Sequence, residues 1–337
     1  MKAIGYYASL PISDPAALQD IQLPAPQPGP RDLLVDVRAI SVNPVDTKVR
    51  QSTTPEGGTA KVLGWDVSGV VQAVGPDVSL FKPGDRVFYA GSIARPGGNS
   101  ELHVVDERIV GRMPASLGFA DAAALPLTAI TAWELLFERL QIKQGSADEG
   151  QSLLIVGAAG GVGSILTQLA SRLTGLTVIG TASRPDTQAW VRELGADHVV
   201  DHSQPLSAEL KRLGLGPVTH VASLTQTDQH LTELVEALAP QGRLALIDDP
   251  HSLDISLLKR KSLSLHWEFM YTRSLYETAD MIEQHHLLNR VAELIDAGTL
   301  RTTVGEHFGR IDASNLKRAH ALLESGRAKG KIVLEGF

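Results

Sequence analysis

The chain has 337 residues, 43% hydrophobic and 20% charged, long enough for two domains with a core in each. A net charge of −7 with no basic run argues against a nucleic-acid surface, and no apolar stretch is expected to span a membrane. The absence of cysteine excludes disulfides, thiolate nucleophiles and cysteine-bound zinc. The opening Met1-Lys-Ala-Ile-Gly-Tyr-Tyr7 is too polar for a signal peptide, so a cytoplasmic location is expected.

Residues 1 to about 127 carry short alternating runs: Leu33–Ile40, Val67–Val74, Arg86–Tyr89 and Glu101–Val105. Turn signals separate them (Pro28-Gly-Pro30, Gly75-Pro76, Lys82-Pro-Gly-Asp85, Pro96-Gly-Gly98), and this punctuation predicts a β-rich domain. From Ala120 the texture changes, with helical spacing in Ala122–Leu127 and Thr131–Leu140 and a polar loop at Lys143–Gly150. Strands are then predicted at Leu153–Val156, Thr177–Gly180, His198–Val200, Val218–Ser223, Arg243–Ile247 and Leu263–Trp267. Helical segments at Ile165–Leu173, Thr187–Leu194 and Leu231–Leu238, the last closed by Pro240, alternate with them. Such alternation predicts a doubly wound parallel sheet. A helix pair, Ala279–Ala297 and Ala313–Glu324, and a last strand, Lys331–Leu334, are expected to return to the first domain.

The stretch from Ser152 to Leu173 organises the chain. An apolar strand runs into Gly157-Ala-Ala159-Gly160-Gly161-Val162-Gly163, and a helix-period segment follows. Strand, glycine turn and helix in this order are the context of a dinucleotide site. The first glycine permits the turn, the second lets backbone approach a pyrophosphate, and the third lets helix pack on strand. The pattern is GxxGxxG in place of GxGxxG, and a tight turn without a ligand is the competing reading. NAD sites carry an acid about 20 residues beyond the glycines. Here that place reads Thr181-Ala-Ser183-Arg184, where a hydroxyl and a guanidinium suit a 2′-phosphate. The residues therefore favour NADPH, with Ile247 at the end of a later strand as a further expected contact.

Several segments together resemble the medium-chain dehydrogenase/reductase superfamily. They are Ser41-Val-Asn-Pro-Val-Asp-Thr-Lys-Val-Arg50, Gly64-Trp-Asp-Val-Ser-Gly-Val-Val71, Pro83-Gly-Asp-Arg-Val87, Ala124–Trp133, the glycine motif, Leu194-Gly-Ala-Asp197 and Gly330-Lys-Ile-Val333. The likeness is to the quinone-oxidoreductase-like branch and, within it, a subgroup labelled zinc-type alcohol dehydrogenase-like. It implies an α/β chain with a GroES-like β-rich catalytic domain over 1–127, completed by 269–337. A Rossmann NADP-binding domain is implied over 128–268. It also implies Thr128 beside the nicotinamide and Lys331 near the cofactor phosphates, with a helix cap and a surface lysine as the alternatives.

Metal-dependent relatives carry a cysteine in the segment matching Val42–Thr47 and a histidine after the glycine matching Gly64. This chain has Asn-Pro-Val-Asp and Trp65 there, so no zinc is predicted. His198 and His202 span a strand end, and His285 and His286 point in different directions, so neither pair is read as a metal site. Without a Lewis acid, reduction of an electron-poor acceptor is favoured over alcohol oxidation. Hydride from NADPH to a quinone or an α,β-unsaturated carbonyl needs only hydrogen-bond donors and a solvent proton. Asn43 is the expected donor to the acceptor oxygen, Asp46 an anchor for the loop, and Lys48 a source of charge or a proton. Turn chemistry is the alternative for Asn43 and Asp46. Trp267, Phe269, Met270 and Tyr271 are candidates for an acceptor pocket, otherwise core or interface. Two other readings stand beside this one: a zinc alcohol dehydrogenase, and a crystallin-like NADPH-binding protein without catalysis. A homodimer is expected, paired along the edge strand Leu263–Trp267.

Overall fold

The computed structural model describes residues 1–337 throughout. The chain divides into two units, one of Met1–Ile130 with Tyr271–Phe337 and the other of Thr131–Met270. The first is the GroES-like, β-rich unit. Its main sheet has seven strands, and in it Asp32–Val42 pairs with Val67–Val74, with Leu102–Asp106 and with the C-terminal strand Lys331–Glu335. Antiparallel pairing of Ile332 with Val42 brings the start of the last strand to the point where Asp32–Val42 runs into Asn43. A helix, Pro44–Ser52, begins there with Pro44 in its first turn, where a missing N–H costs nothing. It is tied to the helix Ala313–Glu324 by the buried Arg50, whose guanidinium reaches Glu324 and the Leu10 carbonyl.

The second unit is a six-stranded parallel sheet. Its spatial order is His198–Val200, Thr177–Thr181, Ser152–Val156, Val218–Ser223, Leu238–Leu246 and Ser264–Trp267. In chain order this is 3-2-1-4-5-6, the doubly wound arrangement whose order reverses beside the first strand. Leu153–Val156 is buried on both faces, as its unbroken apolar run requires. The mixed α/β class and the Rossmann sheet agree with the sequence reading.

Details differ for local reasons. The helical stretch expected at Ala122–Leu127 splits into Phe119–Ala123 and Pro126–Trp133, since Pro126 starts a helix more readily than it continues one. A π-helix, Glu134–Arg139, follows, and Arg139 Nε donates to the buried Glu268 at 2.8 Å. These consecutive segments, Phe119–Arg139, are long and apolar enough to cross a membrane, against the sequence expectation. Most of their apolar window, 78%, is buried within the protein, as in a core helix. Pro240 does not close a helix but lies inside the strand Leu238–Leu246. Pairing jumps from Leu238 to Arg243 opposite Val218 and His220, and Pro240 sits in the bulge this shift makes. The helix expected from Ala279 begins at Glu283, because Asp280 is held by Arg273 at 2.9 Å.

Candidate functional site

In the β-rich unit, the residues singled out around Asn43 converge with one more, Asp66. Asn43 precedes the helix Pro44–Ser52, and the Asp46 carboxylate accepts its N–H at 2.7 Å. The other Asp46 oxygen accepts the Gly64 N–H at 2.9 Å, so Asp46 pins two chain segments together. Asn43 Nδ2 donates to Asp66 Oδ2 at 2.8 Å and to the Trp65 carbonyl at 3.4 Å. The Lys331 ammonium donates to Asp66 Oδ2 at 2.9 Å, to the Val42 carbonyl at 3.1 Å and to Asn43 Oδ1. Leu127 N–H completes the Asp66 shell at 2.8 Å. Asn43, Asp46, Asp66 and Lys331 are all buried, none exposing more than 3%.

This geometry gives three expected site residues a different occupation. Both Asn43 amide hydrogens are engaged within the protein, so Asn43 has none to offer an acceptor oxygen. The three donors of Lys331 are likewise engaged, and it neutralises Asp66 where a phosphate contact was expected. Thr128 is neither exposed nor a cap. It is buried within the helix Pro126–Trp133, its hydroxyl donating to the Leu125 carbonyl at 3.1 Å. Asp46 is held by the Asn43 and Gly64 N–H groups and is turned inward. Lys48 is exposed, two positions beyond Asp46 and therefore on a different helix face. Trp65 Nε1 donates to the Ser92 carbonyl at 3.2 Å, and its ring meets Tyr271 edge-on at 6.3 Å. Burial and the nearby Asp46 and Asp66 raise the Tyr271 phenol well above its usual range. Met270 is buried too, whereas Trp267 and Phe269 are about half exposed.

The Lys331 ammonium, Asn43 and Trp65 do not fit a zinc ion. The two carboxylates there are already committed, Asp46 to the Asn43 and Gly64 N–H groups and Asp66 to Lys331, Asn43 and Leu127, and a cation would otherwise face an ammonium, an amide bonded on both sides and an indole. No group of three or more His, Asp or Glu side chains converges as a metal site elsewhere.

In the parallel-sheet unit, Gly157 turns the chain at φ +79°, and Gly160 caps the helix Gly161–Leu173 without a side-chain bond. A Cβ on Gly163 would lie 2.4 Å from the Gly157 carbonyl oxygen, so only glycine lets this helix pack on its strand. Gly160 is under no such constraint: its nearest neighbour would be the Gly157 oxygen at 3.4 Å. Gly157, Gly160, Gly161 and Val162 are half-buried, Ala159 is 9% exposed, and no side chain caps the helix start. The neighbouring strand ends at Thr181, whose hydroxyl accepts the Gly157 N–H at 3.1 Å. Ser183 and the side chain of Arg184 follow, half-exposed, with Arg184 Nε 3.5 Å from Asp186. Ile247 is half-buried just beyond the strand Leu238–Leu246.

Sequence reasoning missed two groups here. His202 Nδ1 lies 3.1 Å from the Thr181 hydroxyl, and the His230 ring is 6.4 Å from that of His202. Asp66 stands in the Gly64–Val71 segment that carries the family resemblance, without an expected role of its own. The signal for it was its adjacency to Gly64-Trp65.

Buried ionisable groups set the pH dependence of stability. Burial raises the Asp46 carboxyl to about 7 and, with Glu134 beside it, raises Glu268 as well. Both groups bind protons more tightly when folded, so their contributions decline as pH rises from the usual carboxylate range through the raised values. His103, His220 and His320 are pushed by burial to about 4, 4 and 3. The unfolded chain holds those protons more tightly, so these three contribute increasing stability up to their ordinary 6.5. Histidines dominate below that value and only carboxyls titrate above it. Urea midpoints at about pH 5, 6.5 and 8.5 should pass through a maximum near the middle value. A steady rise through the highest pH would contradict these assignments.

With this geometry established, comparison with known proteins places the chain. The model of the alcohol dehydrogenase GroES-like domain matches residues 29–127, and that of the zinc-binding dehydrogenase matches residues 194–334. A zinc-type alcohol dehydrogenase-like protein of Staphylococcus aureus is 40% identical over 336 residues, 99% of each chain. A quinone oxidoreductase of Pseudomonas aeruginosa is 30% identical over 313 residues, 91% of this chain and 92% of that one. Among solved structures, a Rhizobium etli protein provisionally named a zinc-dependent alcohol dehydrogenase is 58% identical. It has a TM-score of 0.96, covering 100% of this chain and 98% of that one. The Escherichia coli quinone oxidoreductase complexed with NADPH is 25% identical with a TM-score of 0.85, covering 99% and 100%. Together with these matches, the fold and the glycine turn define a nicotinamide-dependent oxidoreductase. The chain belongs to the medium-chain dehydrogenase/reductase superfamily.

Proposed function

We propose that the protein is a zinc-independent reductase that passes hydride from NADPH to a quinone or an α,β-unsaturated carbonyl. The observation that carries the reading is the buried Asn43–Asp66–Lys331 cluster, in which an ammonium and an engaged amide leave no ligand set for a metal. Names of relatives containing both "zinc-type" and "quinone oxidoreductase" are compatible with the family but do not choose between them.

The residues of the glycine turn fit a dinucleotide, since Gly160 leaves room above the helix start and no side chain caps it. Gly157, Ala159, Gly160, Gly161, Val162 and Gly163 hold the pyrophosphate, Ser183 and Arg184 the ribose 2′-phosphate, and Ile247 adjoins the cofactor. When bound, NADPH supplies hydride to the quinone or to the β-carbon of the enone, and a solvent proton completes the hydroquinone or the saturated ketone. Lys48, the exposed cation of the Asn43–Lys48 segment, offers positive charge to a developing oxyanion. The assembly is a homodimer in the cytoplasm, paired through the open edge of the strand Ser264–Trp267, where half-exposed Trp267 and Phe269 lie.

The test is oxidation of NADPH and NADH by EDTA-treated protein with 1,4-benzoquinone, 9,10-phenanthrenequinone, an enone and an aldehyde. NADPH-dependent turnover with quinone or enone, unchanged by EDTA, is expected. Arg184→Ala should raise KM for NADPH about tenfold to a hundredfold, the worth of a charge-assisted phosphate contact, and leave NADH unaffected. Activity confined to alcohols and aldehydes and lost with EDTA would overturn the reading. Tight NADPH binding without turnover of any acceptor would favour a binding protein.

A further inference from the structure

Two histidines that the glycine motif does not account for stand at the carboxyl end of the strand Thr177–Thr181. His202 follows the strand His198–Val200 and bonds through Nδ1 to the hydroxyl of Thr181, the same hydroxyl that accepts the Gly157 N–H of the glycine turn. One threonine thus links the turn to the His202 ring. His230, on the helix Thr227–Ala237, faces that ring edge-on at 6.4 Å. Both rings are half-buried, and Arg184 is close enough to act on His202 electrostatically. A hydroxyl, a guanidinium and two imidazoles therefore gather where the strand end lacks an acid.

We propose that His202 and His230 complete the seat of the ribose 2′-phosphate and that protonation of His202 strengthens the preference for the phosphorylated cofactor as pH falls. The inference rests on the NADPH reading above and adds residues and a proton to it. Thr181 serves either state of the ring: its hydroxyl donates to neutral Nδ1 or accepts from the protonated one. The groups that act on His202 are His230 on the helix Thr227–Ala237, Arg184 at the start of the helix Pro185–Glu193, and the adjoining Asp201. Glu209 and Glu233, on the neighbouring helices, are turned to Arg212 and Ser207. In the free protein burial, His230 and Arg184 lower the His202 pKa, outweighing Asp201, so the ring is neutral at neutral pH. A phosphate dianion beside it reverses the balance, and binding takes up a proton. The phosphate's own second ionisation, near pH 6, acts in the opposite direction and cannot imitate the effect.

The experiment is calorimetric titration of the full chain with 2′,5′-ADP and with 5′-AMP between about pH 8 and pH 6, in buffers of different ionisation heat. Affinity for 2′,5′-ADP should rise on the order of tenfold for each unit by which binding raises the His202 pKa, with proton uptake, while 5′-AMP stays flat. His202→Gln should abolish the uptake and the slope, retain preference for 2′,5′-ADP through Arg184, and bind 5′-AMP normally. His230→Gln, which removes a ring that lowers the His202 pKa, should move the midpoint to higher pH. A slope unchanged in both variants overturns the proposal and leaves the NADPH reading standing. Equal affinity for the two ligands at every pH would overturn both.

Discussion

Lys331→Met is expected to lower the unfolding free energy by about 3–5 kcal/mol near neutral pH, the usual cost of leaving one partner of a buried ion pair alone. The ammonium is the only cation bonded to Asp66, and both groups are sealed from solvent. Its removal also deprives the Val42 carbonyl and Asn43 Oδ1 of a donor. Asp66 retains Asn43 and Leu127 as neutral donors, which soften the loss without balancing the charge. The cost should shrink as pH falls, because burial already raises the Asp66 pKa and a protonated carboxyl needs no counterion. Urea titrations of Lys331→Met at neutral and acid pH measure both effects. The double variant Asp66→Asn with Lys331→Met should recover part of the loss. A single-variant cost below about 1 kcal/mol, the range of an exposed pair, would mean that water reaches the cluster.

That cluster also marks the limit of what the sequence made legible. The glycine turn was readable because its strand, turn and helix are contiguous and each follows its own period, from Leu153 to Leu173. The parallel sheet was readable for the same reason, as alternating strand and helix segments. Lys331 and Asn43 are 288 positions apart, and only the pairing of Ile332 with Val42 brings them together. Nothing local to either residue announces that both will be buried against Asp66. The donor role expected of Asn43 and the place near the phosphates expected of Lys331 assumed free side chains, and tertiary packing engages both. His202 and His230 were missed for a related reason. His202 lies in a strand–helix connection and His230 on the helix Thr227–Ala237, so neither has a neighbour in sequence that gives it a purpose. Pro240 was misread because a proline is a helix stop only if the helix has not already ended, and here it ends at Ala237.

Gly160→Ala and Gly163→Ala should part company, in keeping with the different roles of the second and third glycines of the motif. At Gly163 a methyl would meet the backbone of Gly157 and Ala158 at 2.4–2.6 Å, and none of those atoms can turn aside. The helix must lift from its strand, an overpacking cost of about 1–3 kcal/mol that appears in the protein without ligand. At Gly160 the methyl meets nothing closer than 3.4 Å, and the backbone there, φ −75° and ψ −177°, suits any residue. Gly160→Ala should therefore melt within a degree or two of wild type, in line with a tolerated surface change. Its methyl, however, stands over the uncapped helix start where a pyrophosphate would approach. Affinity for NADPH should fall by at least about tenfold, or 1.4 kcal/mol, and the rise in Tm that saturating NADPH gives the wild type should shrink accordingly. Thermal melts of both variants with and without NADPH separate the two effects. If Gly160→Ala retains the full ligand-induced shift, the pyrophosphate does not pass over this glycine, and the turn serves the fold alone.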